Sequence, residues 1–356
     1  MVADVTVVGT GIIALAAAIE SADRGLRVRL LGTQHSGNAS SAAGGMLAPS
    51  VAPGSGPAQT FAVASRDMYP SFVAALVERS GIAVPLSLNG ILEVAHDEEE
   101  AARLRGVFER PSEWLEPAQV HSEEPALGPV AGAVLHPLDG SVEPLPLLDA
   151  LRSVVAHHRG IVTAREDCAE LHASELGCNV LTTMESRFAS EYVVLAAGAW
   201  TPLIAGAGAA MAAVSPLRGQ MIAFDAAPVG RVVCGAQGYL IPRRAGHTIA
   251  GGTSEHAGFD SSNTPAGVDS IRSGAVRLCP ALGAVPVHSA WAGLRPATPD
   301  MLPIIGADPD RPRVIYACGH SRNGILLAPL TAETVADLVT NAVPRHDISR
   351  FRPGRH

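Results

Sequence analysis

The sequence has no lysine, since all 26 basic residues are arginine, and 34 acidic residues leave a formal net charge of −8. Without a lysine amine, Schiff-base and pyridoxal chemistry are excluded, as is the Gly-Lys phosphate loop of nucleotide hydrolases. The negative charge argues against a general nucleic-acid binder, which needs a basic surface. No apolar run approaches the roughly 20 residues that a membrane span needs, so we expect no membrane association.

Cysteines and aromatic residues are also few. The five cysteines form no CxxC pair and are odd in number, which argues against a zinc site or a disulfide framework and favours a reducing compartment. No signal-peptide pattern precedes the first apolar run, so we expect a cytoplasmic protein. With 4% aromatic residues and 36 glycines among 356 residues, we expect a core of small aliphatic side chains and close approach of backbone to a ligand.

The N-terminal residues carry the pattern of a dinucleotide-binding βαβ unit. A short apolar strand at residues 5–8 precedes Gly9-Thr10-Gly11-Ile12-Ile13-Ala14, which opens an alanine-rich helix and a second strand at 26–31. Gly9 permits a tight turn, Gly11 lets a pyrophosphate approach the helix N-terminus, and Ala14 allows close packing of helix on sheet. The alternative is an ordinary glycine turn between a strand and a helix.

The acid that usually ends the second strand of such a unit and binds the ribose hydroxyls is missing. Its position is Gly32, and no acidic residue follows before Asp67. We expect either weaker cofactor binding or substitute contacts from Thr33 or Gln34. Restoring a carboxylate with Gly32→Glu is expected to tighten cofactor binding.

Three later segments suit a flat ligand and a carboxylate. Residues 40–49 (SSAAGGMLAP) form a row of small residues that could lie against a ring, or a flexible loop. Arg295, between Gly293 and Pro296, sits on constrained backbone and could clamp a carboxylate, or be a surface arginine. Residues 319–329 (GHSRNGILLAP) place free amides at a helix start, which stabilises negative charge, or form a simple helix entry.

The rest of the pattern predicts an α/β domain interrupted by a β-rich one. We expect a linker over 33–60, and a solvated helix followed by a turn-rich loop over 97–125. Helices are predicted over 65–80 (ending at Gly81), 146–160, 267–279 and 325–340, and strands over 192–197, 220–224, 239–242, 248–250 and 313–317.

Together these motifs resemble the D-amino-acid oxidase superfamily of flavin-dependent amine oxidases, and within it the glycine oxidases of the thiamin pathway. The resemblance covers essentially the whole chain and follows the family's order. It runs through VTVVGTGIIAL (5–15), SSAAGGMLAPS (40–50), GSVEPLPLLDAL (140–151), EYVVLAAGAW (191–200), SPLRGQ (215–220), GYLIPRR (238–244), WAGLRPATPD (291–300) and GHSRNGILLAPLTAETVADL (319–338).

The resemblance implies a discontinuous Rossmann-like FAD-binding domain (1–80, 140–215 and 295–356) and a second, β-rich substrate domain (81–139 and 216–294). It also implies non-covalent FAD, because no cysteine is placed as in members with covalent flavin. The cofactor-binding residues that it implies are Gly9, Gly11, Ile12, Ile13, Ala14, Ser40, Ser41, Ala43, Gly45, Met46, Leu47, Ala197, Gly198, Trp200, Arg295, His320, Arg322, Asn323, Gly324, Ile325 and Leu326.

The implied substrate-binding residues are Tyr239, Ser254, Arg295 and Arg322, with Arg295 and Tyr239 on the carboxylate and Ser254 in place of a family methionine. The implied reaction transfers a hydride from the Cα of glycine, or a similarly small amine, to flavin N5. The imine then hydrolyses to a 2-oxo acid and ammonia, and O2 becomes H2O2. The flavin carries this chemistry without a catalytic base, although His320 stays a candidate.

The expected partners are the small amine, O2 and further copies of this chain in a homo-oligomer, with no metal. Other functions stay open at this point. A flavin oxidase or dehydrogenase could act on sarcosine, a D-amino acid or a pathway-specific amine. Gly32 also leaves room for a non-enzymatic descendant with weakened FAD binding. A nicotinamide dehydrogenase fits less well, because residues 40–49 and the C-terminal loop and helix would then have no role.

Overall fold

The computed structural model describes residues 3–51, 54–175 and 177–355. The strands are β1 (Ala3–Val8), β2 (Val28–Leu31), β3 (Met46–Leu47), β4 (Leu86–Ser87), β5 (Ile91–Ala95), β6 (Glu113–Leu115), β7 (Gly132–His136), β8 (Gly140–Val142), β9 (Ile161–Ala164), β10 (Cys168–Ser174), β11 (Gly177–Thr182), β12 (Arg187–Leu195), β13 (Ser215–Phe224), β14 (Val232–Gly235), β15 (Gly238–Pro242), β16 (Thr248–Gly251), β17 (Val287–Ala297), β18 (Ile304–Ala307) and β19 (Val314–Cys318). The α-helices are α1 (Ile12–Asp23), α2 (Ala39–Ala42), α3 (Gly56–Asp67), α4 (Tyr69–Ser80), α5 (Glu98–Arg105), α6 (Pro117–Glu123), α7 (Pro144–His157), α8 (Pro265–Leu278) and α9 (Gly324–Val339).

The first sheet has a parallel centre in the order β9-β2-β1-β12-β19. The β10–β11 hairpin continues it antiparallel from the first half of β12, and β18 pairs antiparallel with β19. Helices α1, α7 and α9 pack together on one face, and a second apolar cluster covers the other. Burial on both faces explains why β1 and β12 contain near-continuous apolar runs. All five parallel strands end at the same edge of the sheet.

The second sheet has the order β17-β13-β16-β15-β14-β5-β7-β6 and is antiparallel except for the β14–β5 pair. Its longest pairing joins β13 to β17 and places Arg295 opposite Leu217. Helix α8 packs against this sheet in a separate core. A small third sheet, β3-β8-β4, pairs Met46 with Ser141.

The predicted α/β fold class is confirmed, but several segments differ from their predictions. The expected linker at 33–60 contains α2, β3 and the start of α3, although residues 52 and 53 lie outside the described residues. The predicted helix at 65–80 is the end of α3 followed by α4, which ends at Gly81 in the left-handed conformation (φ 70°) as expected. The acidic segment at 97–125 contains α5, β6 and α6. No helix in the described parts of the chain is long and apolar enough to cross a membrane.

Candidate functional site

A cavity of about 950 Å³ lies between the two large sheets. Its wall includes residues that follow β1, β2, β12 and β19, such as Gly9, Gly32, Ala197 and His320. The opposite wall comes from the second sheet. Open α/β sheets bind ligands outside the carboxyl ends of their strands, so this cavity is where the fold places a ligand site.

The turn after β1 brings a helix N-terminus to this cavity. Gly9 has φ +130°, and a Cβ there would collide with the carbonyl oxygen of Ala196. The N–H of Ile12, at the start of α1, donates to Ser40 Oγ (3.1 Å), and the first turn holds no acidic residue. The remaining first-turn amides and the helix dipole favour an anion such as a pyrophosphate.

Residues 38–46 are held by contacts with the rest of the protein. Asn38 Oδ1 accepts from the N–H and Oγ of Ser41 (3.0 and 2.8 Å), which caps α2. Gly45 has φ +80°, and a Cβ there would collide with the Val142 carbonyl. Arg243 Nη2 donates to the carbonyl of Gly44 (2.6 Å). The small-residue segment is therefore a fixed wall of the cavity.

Arg295, on β17 of the second sheet, supplies a positive charge to the cavity wall. Its guanidinium lies where a Gly219 side chain would be, and its Nη1 donates to the carbonyl of Thr253 (2.9 Å). Among the described residues Arg295 has no carboxylate partner, whereas Arg218 on β13 pairs with Glu255 (2.6 Å) and Asp260 (2.7 Å). This un-neutralised guanidinium faces the cavity and suits a carboxylate ligand.

Tyr239 lies beside Arg295 in the same wall, with its hydroxyl 3.1 Å from Met221 Sδ. Burial raises the pKa of Tyr239, and the neighbouring Arg295 and Arg243 oppose that rise only in part. The hydroxyl therefore keeps its proton near neutral pH. It can donate a hydrogen bond to an anion held by Arg295.

His320 lies after β19, at the start of the C-terminal loop. It is buried, and its Nε2 is 3.1 Å from Thr331 Oγ1 on α9. Burial lowers the pKa of His320 to about 3, so the imidazole is neutral near pH 7. A neutral ring engaged with Thr331 favours a structural role.

The pKa of His320 predicts how stability depends on pH. Between pH about 3 and the ordinary value near 6.5, the unfolded chain binds a proton at this residue that the folded chain does not. Its contribution to stability therefore falls as the pH drops through this window. The slope of the unfolding free energy against pH gives the number of protons taken up on unfolding. We expect His320→Gln to lower that number, by about one proton near pH 5, as measured by urea denaturation from pH 7 to 5. Parallel curves for the two proteins would contradict this assignment.

Most of the predicted site residues meet at the cavity. Ser254 and Arg322 are exposed at its rim, whereas Ala14, Ser41 and Leu47 do not line it: Ala14 is buried in α1, Ser41 bonds to Asn38, and Leu47 is buried in β3. The predicted residues that line the cavity are Gly9, Gly11, Ile12, Ile13, Ser40, Ala43, Gly45, Met46, Ala197, Gly198, Trp200, Tyr239, Ser254, Arg295, His320, Arg322, Asn323, Gly324, Ile325 and Leu326.

The structure changes the expectations for Gly32 and its neighbours. Gly32 has φ +153°, which side chains rarely adopt, and a Cβ there would lie 3.2 Å from Thr10 Cγ2. Gly32→Glu would therefore be strained, and we no longer expect it to tighten cofactor binding. Thr33 lines the cavity, whereas Gln34 does not.

Sequence reasoning missed Asp167, His35 and Met221, which also line the cavity. Asp167 follows β9, a short strand without a strong apolar pattern. Only the pairing of β9 with β2 brings Asp167 to the cavity, and the local sequence does not reveal that pairing. Met221 lies within a predicted strand, but only the sheet's orientation points it at the site.

Three of the cysteines, Cys168, Cys234 and Cys318, line the cavity, and burial raises the pKa of each thiol, to about 12 for Cys168 and about 11 for Cys318. Protonated thiols are poor nucleophiles, which favours a non-covalent ligand. Among the described residues, no group of three His, Cys, Asp or Glu side chains could hold a metal ion.

These features fit a dinucleotide with a flat ring, and the comparisons agree. Residues 4–338 match the family model of FAD-dependent oxidoreductases (DAO). The chain belongs to this family. The protein is therefore an FAD-dependent oxidoreductase, and the expected cofactor is confirmed.

Glycine oxidases are among the similar proteins. That of Geobacillus kaustophilus is 34% identical over 367 residues, covering 99% of this chain and 97% of that protein. The crystal structure of the glycine oxidase from Geobacillus kaustophilus superposes with a TM-score of 0.92 over 99% of both chains. The bifunctional protein ThiO/ThiG of Nostoc sp. is 34% identical over 371 residues, but this chain spans only 55% of its length. The family resemblance and the fold are confirmed.

Proposed function

We propose that this flavoenzyme oxidises the C–N bond of glycine or a similarly small amino acid, yielding a 2-oxo acid and ammonia and reducing O2 to H2O2. The observation that carries the proposal is the Arg295 guanidinium, which has no carboxylate partner among the described residues and faces the cavity beside a protonated Tyr239 hydroxyl. A carboxylate bound there is held by the wall that the second sheet forms. The names of the relatives support the same substrate class.

In this proposal, each part of the cavity wall has its own task. Arg295 and Tyr239 hold the substrate carboxylate, and Ser254 and Arg322 close the rim. The α1 N-terminus would hold the FAD pyrophosphate, and the cavity-lining residues among 40–46 and 320–326 would hold the flavin. Bound FAD would supply the two-electron oxidation of the substrate and its coupling to the reduction of O2. The domain limits predicted from sequence, a homo-oligomer, a cytoplasmic location and a place in thiamin synthesis belong to the same proposal.

The proposed site works without a side-chain base. Tyr239 keeps its proton because burial raises its pKa, and His320 is neutral but engaged with Thr331. In this proposal the substrate amine binds in its neutral form, so that no side-chain base is needed. Orientation by the carboxylate clamp then supplies the protein's share of the rate enhancement.

A panel of amines tests this proposal. We expect peroxide release from glycine and from sarcosine, D-alanine or D-proline, with a preference for the smallest, and little from glycinamide, which lacks the carboxylate. Equal rates with glycine and glycinamide, or no reaction with any amino acid, would contradict it. Substrate turnover with slow reoxidation of the flavin in air would instead identify a dehydrogenase.

A further inference from the structure

An acidic residue, Asp167, lines the cavity near the end of β2 and follows the neighbouring strand β9. Strands β2 and β9 are parallel neighbours, with Val28 opposite Ile161 and Leu31 opposite Ala164. The N–H of Gly32 donates to the Ala164 carbonyl (3.1 Å), which continues this pairing past the strand ends. Residues that follow β9 therefore lie beside residues that follow β2.

Asp167 is placed in this way. Its Oδ1 accepts from the N–H of Thr33 (3.0 Å), and its Oδ2 accepts from Thr33 Oγ1 (2.7 Å). His35 Nε2 lies 3.3 Å from Oδ1, and the His35 ring stacks on Trp200 with centroids 4.6 Å apart. Asp167, Thr33, His35 and Trp200 all line the cavity. The carboxylate is thus fixed in orientation at the cavity wall.

The Asp167 carboxylate has capacity left for a ligand. A carboxylate offers about four acceptor sites, and its neighbours supply three contacts. Its side chain is 32% exposed. Asp167 follows β9, the strand beside β2. It therefore lies one strand away from the end of β2, where the ribose acid is usually found.

We propose that Asp167 is the ribose-binding acid of this chain and replaces the carboxylate absent at Gly32. Its oxygens accept hydrogen bonds from the 2′ and 3′ hydroxyls of the FAD adenosine, while Thr33 and His35 orient it. The proposal rests on FAD as the cofactor. It explains why position 32 needs no carboxylate. Gly32 has φ +153°, which side chains rarely adopt, and a Cβ there would lie 3.2 Å from Thr10 Cγ2.

Titration of the apoprotein with FAD, followed by flavin fluorescence, tests the assignment. We expect Asp167→Asn to weaken FAD binding roughly 10- to 100-fold, because it removes a charge-assisted acceptor. Glu166→Gln is the matched control: it makes the same change one residue earlier, where the carboxylate accepts from Thr182 Oγ1 (2.6 Å) and does not line the cavity. We expect its FAD affinity to stay within about twofold.

An FAD analogue with 2′,3′-dideoxyadenosine separates binding from a purely structural role. The wild type should bind it at least roughly tenfold more weakly than FAD, whereas Asp167→Asn should bind the two alike. Equal binding by the wild type would overturn the proposal without use of any variant. The proposal would also be overturned if Asp167→Asn weakened binding of the analogue as much as it weakened binding of FAD. Both experiments measure FAD affinity rather than turnover, so a failure of this proposal leaves the proposed function standing.

Discussion

Replacing Arg295 by alanine is expected to raise the KM for glycine about 10²- to 10³-fold while FAD stays bound. The guanidinium has no carboxylate partner among the described residues, so a substrate carboxylate supplies its counter-charge. Removing one partner of a hydrogen-bonded charge pair costs roughly 2–5 kcal/mol, and each 1.4 kcal/mol corresponds to about tenfold. Steady-state peroxide release and the visible flavin spectrum measure the two quantities.

Two comparisons make this prediction specific. Arg295→Lys keeps the charge but loses the planar fork of donors, so its KM should lie between those of the wild type and the alanine variant. Arg244→Ala removes an exposed arginine outside the cavity wall and should leave KM unchanged. If Arg295→Ala weakened turnover of glycinamide as much as that of glycine, the arginine would not be binding a carboxylate.

A second large effect is expected from the buried pair of Arg66 and Asp139. Arg66 Nη1 donates to Asp139 Oδ1 (2.9 Å), and the two side chains are 5% and 0% exposed. Asp139 also accepts from the N–H (3.0 Å) and Oγ (3.1 Å) of Ser50, beside the cavity. Arg66→Met would leave a buried carboxylate without its charge partner, which costs about 3–5 kcal/mol.

The free energy of unfolding in urea measures that loss. Arg152→Met is the control, because Arg152 and Asp149 form an exposed pair (3.1 Å) that should contribute less than about 1 kcal/mol. The double variant of Arg66→Met and Asp139→Leu should lose less than the sum of its single variants, since both charges are removed together. A loss for Arg66→Met no larger than the control's would contradict the interpretation.

Local patterns in the sequence predicted the parts of the site that depend on neighbouring residues. The Gly9 turn follows from strand, glycine and helix in succession, and Arg295 from its place between Gly293 and Pro296. Residues 319–324 were also predicted as a glycine-bounded loop before a helix, and a short 3₁₀ turn lies at Ser321–Asn323 within it. In each case the chemistry and the backbone geometry come from one short segment.

Features that depend on distant pairing could not be predicted in this way. Residues 33–60 were expected to be a linker because nothing local shows that Met46 pairs with Ser141 or that Arg243 reaches the Gly44 carbonyl. Asp167 was overlooked because its position follows from the neighbouring strands β2 and β9 rather than from its own surroundings in sequence. Long-range register, and not residue chemistry, was the missing information.

The packing of α1 against α9 has a consequence for protein synthesis. The Gly9 turn precedes α1, and residues 320–326 lie at the start of α9, so segments far apart in the sequence contribute to the same wall of the cavity. A nascent chain can form the β1–α1 turn early, but this wall stays incomplete until residue 326 has left the ribosome. Capture of FAD is therefore expected to wait until α9 has been synthesised, and truncation within α9 should yield colourless protein.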